Sequence, residues 1–97
     1  MLEKAKPFTV KLYTRIRNVN ANPTDTYICE GYGKTVKKAI DGALFIGRQI
    51  APRDGQTWKA VLLENDSESL TAFGADPDAA CEDALSMHKK AARGGGR

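Results

Sequence analysis

The chain is poor in the residues that build metal sites and nucleophilic active sites, with two cysteines and one histidine among its 97 residues. Cys29, Cys81 and His88 are too few for the four ligands of a structural zinc ion, and the cysteines show no paired spacing. A cysteine–histidine pair is excluded too, because Cys81 and His88 would lie about 10 Å apart along one helix. We therefore expect no metal and no cofactor, and we interpret both cysteines as structural residues.

Other catalytic groupings are also absent from the sequence. A single histidine cannot complete a Ser/His/Asp arrangement, and the adjacent carboxylates Glu82 and Asp83 point in different directions on a helix. The segment 31–35 (GYGKT) resembles the end of a phosphate-binding P-loop, but Ile28 stands where that motif requires glycine. We expect no enzyme activity and no small-molecule substrate. A backbone phosphate held by helix-start amides and Lys34 stays open as an alternative to simple helix capping.

Long apolar runs are missing as well. No segment approaches the roughly 18–20 residues of a membrane span, and residues 1–7 lack the apolar stretch of a signal peptide. We therefore expect a cytoplasmic protein with no membrane partner. With 41% apolar residues the chain can bury one modest core. This predicts a single domain over residues 1–93 and a flexible basic tail over residues 94–97.

Charge is distributed unevenly along the chain. Residues 1–59 hold eleven Lys and Arg against five Asp and Glu, whereas residues 60–88 hold seven acidic residues and no Lys or Arg. The residues from 89 onward are basic again. This asymmetry is typical of a basic surface that faces an anionic partner, or of a basic half that meets the acidic half of another copy.

The spacing of apolar residues predicts two strands followed by a helix in each half of the chain. Apolar residues alternate over 8–16, which indicates a half-buried strand, and residues 26–32 form its returning partner. Helical spacing then runs from Val36 to Ile50. The second half repeats this order, with strands at about 56–64 and 68–74 and a helix from Pro77 to about Arg93.

An offset of 41 residues aligns the two halves, so that Tyr32 falls on Phe73 and Thr35 falls on Asp76. Thr35 and Asp76 can each cap a helix by accepting hydrogen bonds from backbone amides of its first turn. The offset also serves as an internal control. We interpret a position filled alike in both halves as structural, and a position that differs as free to serve function.

These patterns predict an α+β fold built from two tandem ββα units, residues 8–50 and 56–93. Two such units most simply form a four-stranded antiparallel sheet with both helices on one face, related by a pseudo-twofold axis. The strand order stays open.

The two helix starts, 33–39 (GKTVKKA) and 74–80 (GADPDAA), resemble the strand-to-helix junction of HicB-like antitoxins, which are small partners of RNA-cleaving toxins. The resemblance implies a protein partner and an antitoxin-type role. The order of the predicted elements differs from that of a double-stranded RNA-binding domain, which begins with a helix.

The outer side of the first strand carries the strongest binding signal, because cations there alternate with an aromatic ring. Such a stripe can neutralise phosphates while the ring stacks on an unpaired base, although similar stripes occur on solvated sheets. Lysines at the first helix start extend the basic surface. The predicted nucleic-acid site comprises Lys11, Tyr13, Arg15, Arg17, Lys34, Lys37 and Lys38.

A second candidate surface surrounds Phe45, which projects opposite the apolar stripe of the first helix. Its counterpart at the 41-residue offset is Ser86, so the fold does not require an aromatic residue there. Phe45, Lys38 and Gln49 form the predicted protein interface. A lone exposed apolar residue is also ordinary. In addition, both sides of the strand at 56–64 are partly apolar, so this strand either lies centrally or has one side covered by a partner.

Two functional predictions result. The first is a small non-catalytic protein that docks on nucleic acid or a nucleoprotein complex through its basic first half, as a phage- or plasmid-encoded regulator or inhibitor does. The alternative is a protein–protein adaptor or antitoxin-type subunit that acts as a homodimer.

Overall fold

The structure is a computed structural model that describes residues 8–16, 24–50, 56–65 and 67–95. Its six elements begin and end within three residues of the predicted bounds. In chain order they are β1 (Phe8–Ile16), β2 (Thr24–Gly33), α1 (Val36–Gly47), β3 (Gln56–Glu64), β4 (Ser67–Gly74) and α2 (Pro77–Gly95).

The four strands form one antiparallel sheet in the order β2-β1-β3-β4. The prediction of an α+β fold with a four-stranded antiparallel sheet is therefore confirmed. The first strands of the two hairpins, β1 and β3, pair with each other at the centre of the sheet. This central position explains why β3 is apolar on both sides, and its Val61 is only 4% exposed.

The inner face of the sheet packs against both helices and forms the core. Alternate residues of the strands point into it, because successive side chains of a strand face opposite sides. The sheet contributes Val10, Leu12, Cys29, Trp58, Ala60, Leu62 and Ala72. The helices contribute Val36, Ala39, Ile40, Ala43, Leu44, Ala80, Cys81 and Ala84. Burial of each large apolar side chain stabilises the fold by about 1.5–3 kcal/mol.

Both helices begin at the predicted caps. The Oγ1 atom of Thr35 accepts a hydrogen bond from the amide of Lys38 at 3.1 Å. The Oδ1 atom of Asp76 accepts one from the amide of Ala79 at 2.7 Å. Each cap satisfies an amide that has no partner within its own helix, and the capping prediction is confirmed.

Helix α2 includes Gly94 and Gly95 of the predicted tail, whereas residues 96 and 97 lie outside the described residues. None of the helices in the described part of the chain is both long and apolar enough to cross a membrane.

Candidate functional site

The outer face of the sheet, opposite the helices, carries a row of side chains that crosses all four strands. Tyr13 of β1 is the cross-strand neighbour of Tyr27 on β2 and of Lys59 on β3. Lys59 is in turn the neighbour of Phe73 on β4. Adjacent strands lie about 4.8 Å apart, so this cross-strand row extends roughly 14 Å. The rings at its ends are well exposed, Tyr27 at 51% and Phe73 at 43%.

A β-bulge in β2 places Tyr27 in the cross-strand row. Leu12 pairs with Cys29, but the next residue, Tyr13, pairs with Tyr27, which leaves Ile28 as an extra residue in β2. Strict alternation from the buried Cys29 would put Tyr27 on the inner face, and the inserted residue moves it to the outer face. The rings of Tyr13 and Tyr27 then meet edge to face, with their centroids 5.7 Å apart.

Two cations of the outer face share one carboxylate, that of Asp25 at the start of β2. Arg15 donates from Nε to Oδ1 at 2.7 Å and from its guanidinium Nη2 to Oδ2 at 3.2 Å. The ammonium of Lys59 donates to Oδ2 at 2.8 Å. These hydrogen bonds from Arg15 and then Lys59 hold the pKa of Asp25 well below its ordinary value. Asp25 is therefore ionised at neutral pH.

The same two cations contact aromatic rings. The guanidinium carbon of Arg15 lies 4.9 Å from the centroid of Phe73, and the Nζ atom of Lys59 lies 4.9 Å from the centroid of Tyr13. Both distances are within the range of a cation–π interaction. The outer face thus carries one continuous surface, on which the cations of Arg15 and Lys59 alternate with the aromatic rings of the cross-strand row.

A second carboxylate, Glu30, orients two tyrosines on the same face. The hydroxyl of Tyr27 donates to Oε1 of Glu30 at 2.9 Å, and the hydroxyl of Tyr32 donates to Oε2. Burial raises the pKa of Tyr27 to about 12, and the hydrogen bond to Glu30 acts in the same direction. Both phenols therefore stay protonated at neutral pH and serve as hydrogen-bond donors.

The structure divides the predicted nucleic-acid site between two surfaces. Lys11, Tyr13 and Arg15 lie on the outer face, where β1 alternates as predicted. On the helical side of the sheet, at the start of α1, lie the exposed residues Lys34, Lys37 and Lys38. Arg17 lies outside the described residues. The outer face and the start of α1 are therefore separate candidates for an anionic partner.

Sequence reasoning missed Asp25, Tyr27, Lys59 and Phe73. The sequence does not assign Tyr27 to a face because the bulge interrupts the alternation, and Asp25 precedes the strand predicted over 26–32. Phe73 aligns with Tyr32 at the 41-residue offset, and the internal control treats positions filled alike as structural. Both of these rings are exposed, so for this pair the repeat signals a shared surface feature.

The residues of the predicted protein interface lie on the solvent side of α1. Phe45 is 73% exposed, which confirms its predicted exposure, and Lys38 and Gln49 are exposed beside it. The side chain of Gln49 donates to the carbonyl oxygen of Phe45 at 2.7 Å. Whether this surface binds a protein stays a prediction.

A groove of about 230 Å³ lies between α1 and α2. Its apolar lining includes Leu44, Leu85 and Cys81, and an ion pair between Arg48 and Asp78, 2.7 Å apart, joins the two helices across it. Burial raises the pKa of the Cys81 thiol to about 12, which leaves it protonated and poorly nucleophilic at neutral pH. Among the described residues, no group of three or more His, Cys, Asp or Glu side chains could hold a metal ion.

No family model, no curated protein and no solved structure matches this chain.

Proposed function

We propose that this protein is a non-catalytic binding protein that docks on nucleic acid, alone or within a nucleoprotein complex, through the outer face of its sheet. The observation that carries the proposal is the cross-strand row, in which three aromatic rings and a cation span all four strands. Such a role fits a small regulator or inhibitor encoded by a phage or plasmid.

The chemistry of the row favours single-stranded segments. Unpaired bases expose flat faces that stack on aromatic rings, and each stacked base contributes about 1–3 kcal/mol. Tyr13 and Tyr27 form one ring pair, and Phe73 lies two strands from Tyr13, roughly 10 Å away. A base-paired duplex hides its base faces, so a surface of rings gains little from it.

The charges of the outer face add a weaker, non-specific attraction. Lys11, Arg15 and Lys59 are its described cations, while Asp25 and Glu30 bring opposite charge to the same face. Stacking therefore accounts for more of the proposed affinity than charge does, and the salt dependence of binding should be shallow.

Fluorescence anisotropy with labelled 12-nucleotide single strands and the matching duplexes, over a salt series, tests this proposal. We expect the single strands to bind more tightly than the duplexes. Tyr13→Ala should weaken single-strand binding by about 1–3 kcal/mol and leave the salt slope unchanged, because no charge is removed. Tyr13→Phe, which keeps a ring, should retain most of the affinity.

Phe45→Ala is the matched control, since it removes an exposed ring on the helical side of the molecule. Its affinity for single strands should equal that of the wild type. If the wild type binds no oligonucleotide even at low salt, where phosphate contacts are strongest, nucleic-acid binding through this face is wrong.

The exposed Phe45 supports a second candidate function, a protein–protein adaptor or antitoxin-type subunit that acts as a homodimer. A large aromatic side chain that is 73% exposed fits an interface anchor, with Lys38 and Gln49 at its rim. Sedimentation equilibrium of the wild type and of Phe45→Ala tests whether the protein is a monomer or a homodimer, and whether a homodimer depends on Phe45. A monomeric wild type at all concentrations would contradict the homodimer.

We also infer that the two halves are equivalent ββα units related by a pseudo-twofold axis. Each returning strand carries one extra residue, Ile28 in β2 and Ser69 in β4, and the two lie 41 residues apart. The two caps, Thr35 and Asp76, have the same separation. Superposition of the two halves in an experimental structure tests this inference, and helices of unrelated geometry would contradict it.

A further inference from the structure

The contacts of Asp25 are those that a nucleic-acid phosphate would make. Its carboxylate receives two hydrogen bonds from the guanidinium of Arg15 and one from the ammonium of Lys59. Guanidinium groups bind carboxylate and phosphate with the same paired geometry. A phosphodiester that reached Arg15 and Lys59 would therefore compete directly with Asp25.

These two cations also lie where a phosphate would be needed. The guanidinium of Arg15 is 4.9 Å from the Phe73 ring and the ammonium of Lys59 is 4.9 Å from the Tyr13 ring. A single strand whose bases stacked on Tyr13 and Phe73 would carry its backbone past this position. The stacking surface and the cation pair thus form one site for a single strand.

We infer that Arg15 and Lys59 form the phosphate-binding position of the outer face, and that Asp25 occupies this position until a phosphodiester displaces it. The inference rests on the proposed function and adds a built-in competitor to it. Asp25 lowers the affinity for polyanions in general, so that only a ligand that also stacks on the rings binds well. This arrangement selects single strands over duplexes and over free phosphate.

The position of Asp25 allows its side chain to be displaced. It is the second residue of β2, which lies at an edge of the sheet beside β1, and in the described part of the chain it is not a member of the core. Rotation of its side chain away from the cations therefore breaks no apolar packing. Because hydrogen bonding to both cations lowers the pKa of Asp25, mild acid does not release the cations.

Asp25→Asn is the direct test, with Asp41→Asn as the matched control. Asp41 carries the same charge, but it pairs with Lys37 on α1 on the other side of the sheet. With a labelled 12-nucleotide oligothymidylate, we expect Asp25→Asn to bind about tenfold more tightly than the wild type. The salt slope should stay close to that of the wild type, because Arg15 and Lys59 contact the same phosphates in both complexes. Asp41→Asn should stay within about twofold of the wild type.

The gain in affinity for the oligonucleotide should disappear when Arg15→Gln is added to Asp25→Asn, because the freed guanidinium of Arg15 causes that gain. If the wild type binds the oligonucleotide but Asp25→Asn binds no more tightly than Asp41→Asn, the inference is overturned and the proposed function stands. If neither the wild type nor Asp25→Asn binds the oligonucleotide at low salt, the inference and the proposed function are both overturned.

A measurement on the wild type covers the case in which Asp25→Asn does not fold. The Nε–Hε signal of Arg15 can be followed by nitrogen-resolved nuclear magnetic resonance while the oligonucleotide is added. We expect this signal to shift as the guanidinium exchanges carboxylate for phosphate, and inorganic phosphate alone to produce little change. An unchanged Arg15 signal at saturation would overturn the inference.

Discussion

Gly31 of β2 lies directly beneath the backbone of Ala43 in α1, so closely that a Cβ atom on Gly31 would overlap the Ala43 amide nitrogen. The same added atom would lie 2.7 Å from the carbonyl carbon of Gly42. Helix α1 can therefore rest on the edge strand only because residue 31 has no side chain. The contact sets the height of α1 above the inner face of the sheet.

Replacement of Gly31 by alanine should be strongly destabilising. The added methyl group meets backbone atoms that cannot rotate away, so we expect the free energy of unfolding in urea to fall by about 2–3 kcal/mol or more. Gly42→Ala is the comparison, because its Cβ would lie 3.3 Å from the Gly31 Cα atom and alanine favours the helix by about 1 kcal/mol. Equal stabilities of the two variants would contradict the close approach.

The two helix caps should contribute similar amounts to stability. Thr35→Ala and Asp76→Ala each remove the acceptor for a first-turn amide, so each should lower the unfolding free energy by about 1 kcal/mol. Thr35→Ser and Asp76→Asn keep an acceptor and should lose much less. Chemical denaturation of the four variants measures the difference, and alanine variants as stable as the wild type would exclude capping at these positions.

The buried thiol of Cys81 should make stability depend on pH in alkaline solution. Burial raises its pKa from 9.0 to about 12, so the folded state keeps a proton that the unfolded state releases. The buried, protonated thiol contributes fully to the free energy of unfolding below about pH 9. This contribution is lost as the pH rises from 9 towards 12. This one group can lower the free energy of unfolding by up to about 1.4 kcal/mol per pH unit.

Cys81→Ala should therefore flatten the loss of stability above pH 9, even if the variant is less stable at neutral pH. The raised pKa of Cys29, caused mainly by burial, leaves some loss of stability with rising pH in both the wild type and the variant. Urea denaturation at pH values between 8 and 10.5 compares the two proteins. Parallel curves would show that Cys81 keeps its ordinary pKa.

Truncation to alanine should greatly reduce stability at one residue of α1 and hardly change it at the next. Leu44 is 6% exposed and belongs to the core, so Leu44→Ala should cost about 2–5 kcal/mol of unfolding free energy. Phe45 faces solvent, and Phe45→Ala should change stability by no more than about 0.5 kcal/mol. A large loss on truncation of Phe45 in a monomeric protein would mean that its ring is packed, and the interface role would then be wrong.

Much of the secondary structure follows from local patterns. The alternation over β1, the helical spacing that begins at Val36 and the caps at Thr35 and Asp76 each depend on residues within a few positions of one another. Phe45 was placed on the solvent side of α1 by the same local reasoning. Local patterns of this kind are enough to predict the elements and the faces of regular strands and helices.

The candidate site needed the tertiary structure, because its contacts join residues that are distant in sequence. Asp25 and Lys59 are 34 positions apart, and they meet only because β1 pairs with β3 while it also pairs with β2. No local pattern encodes which strand edges pair. The sequence by itself therefore determined the elements, the caps and the exposed face of β1.

The tertiary structure decided the strand order β2-β1-β3-β4 and the face on which Tyr27 lies. The physical reason is the period of a strand: one inserted residue, Ile28, reverses the facing of every side chain beyond it. Such an insertion is defined only by the pairing with the neighbouring strand. The cross-strand row, and the carboxylate of Asp25 between its cations, exist only once that pairing has formed.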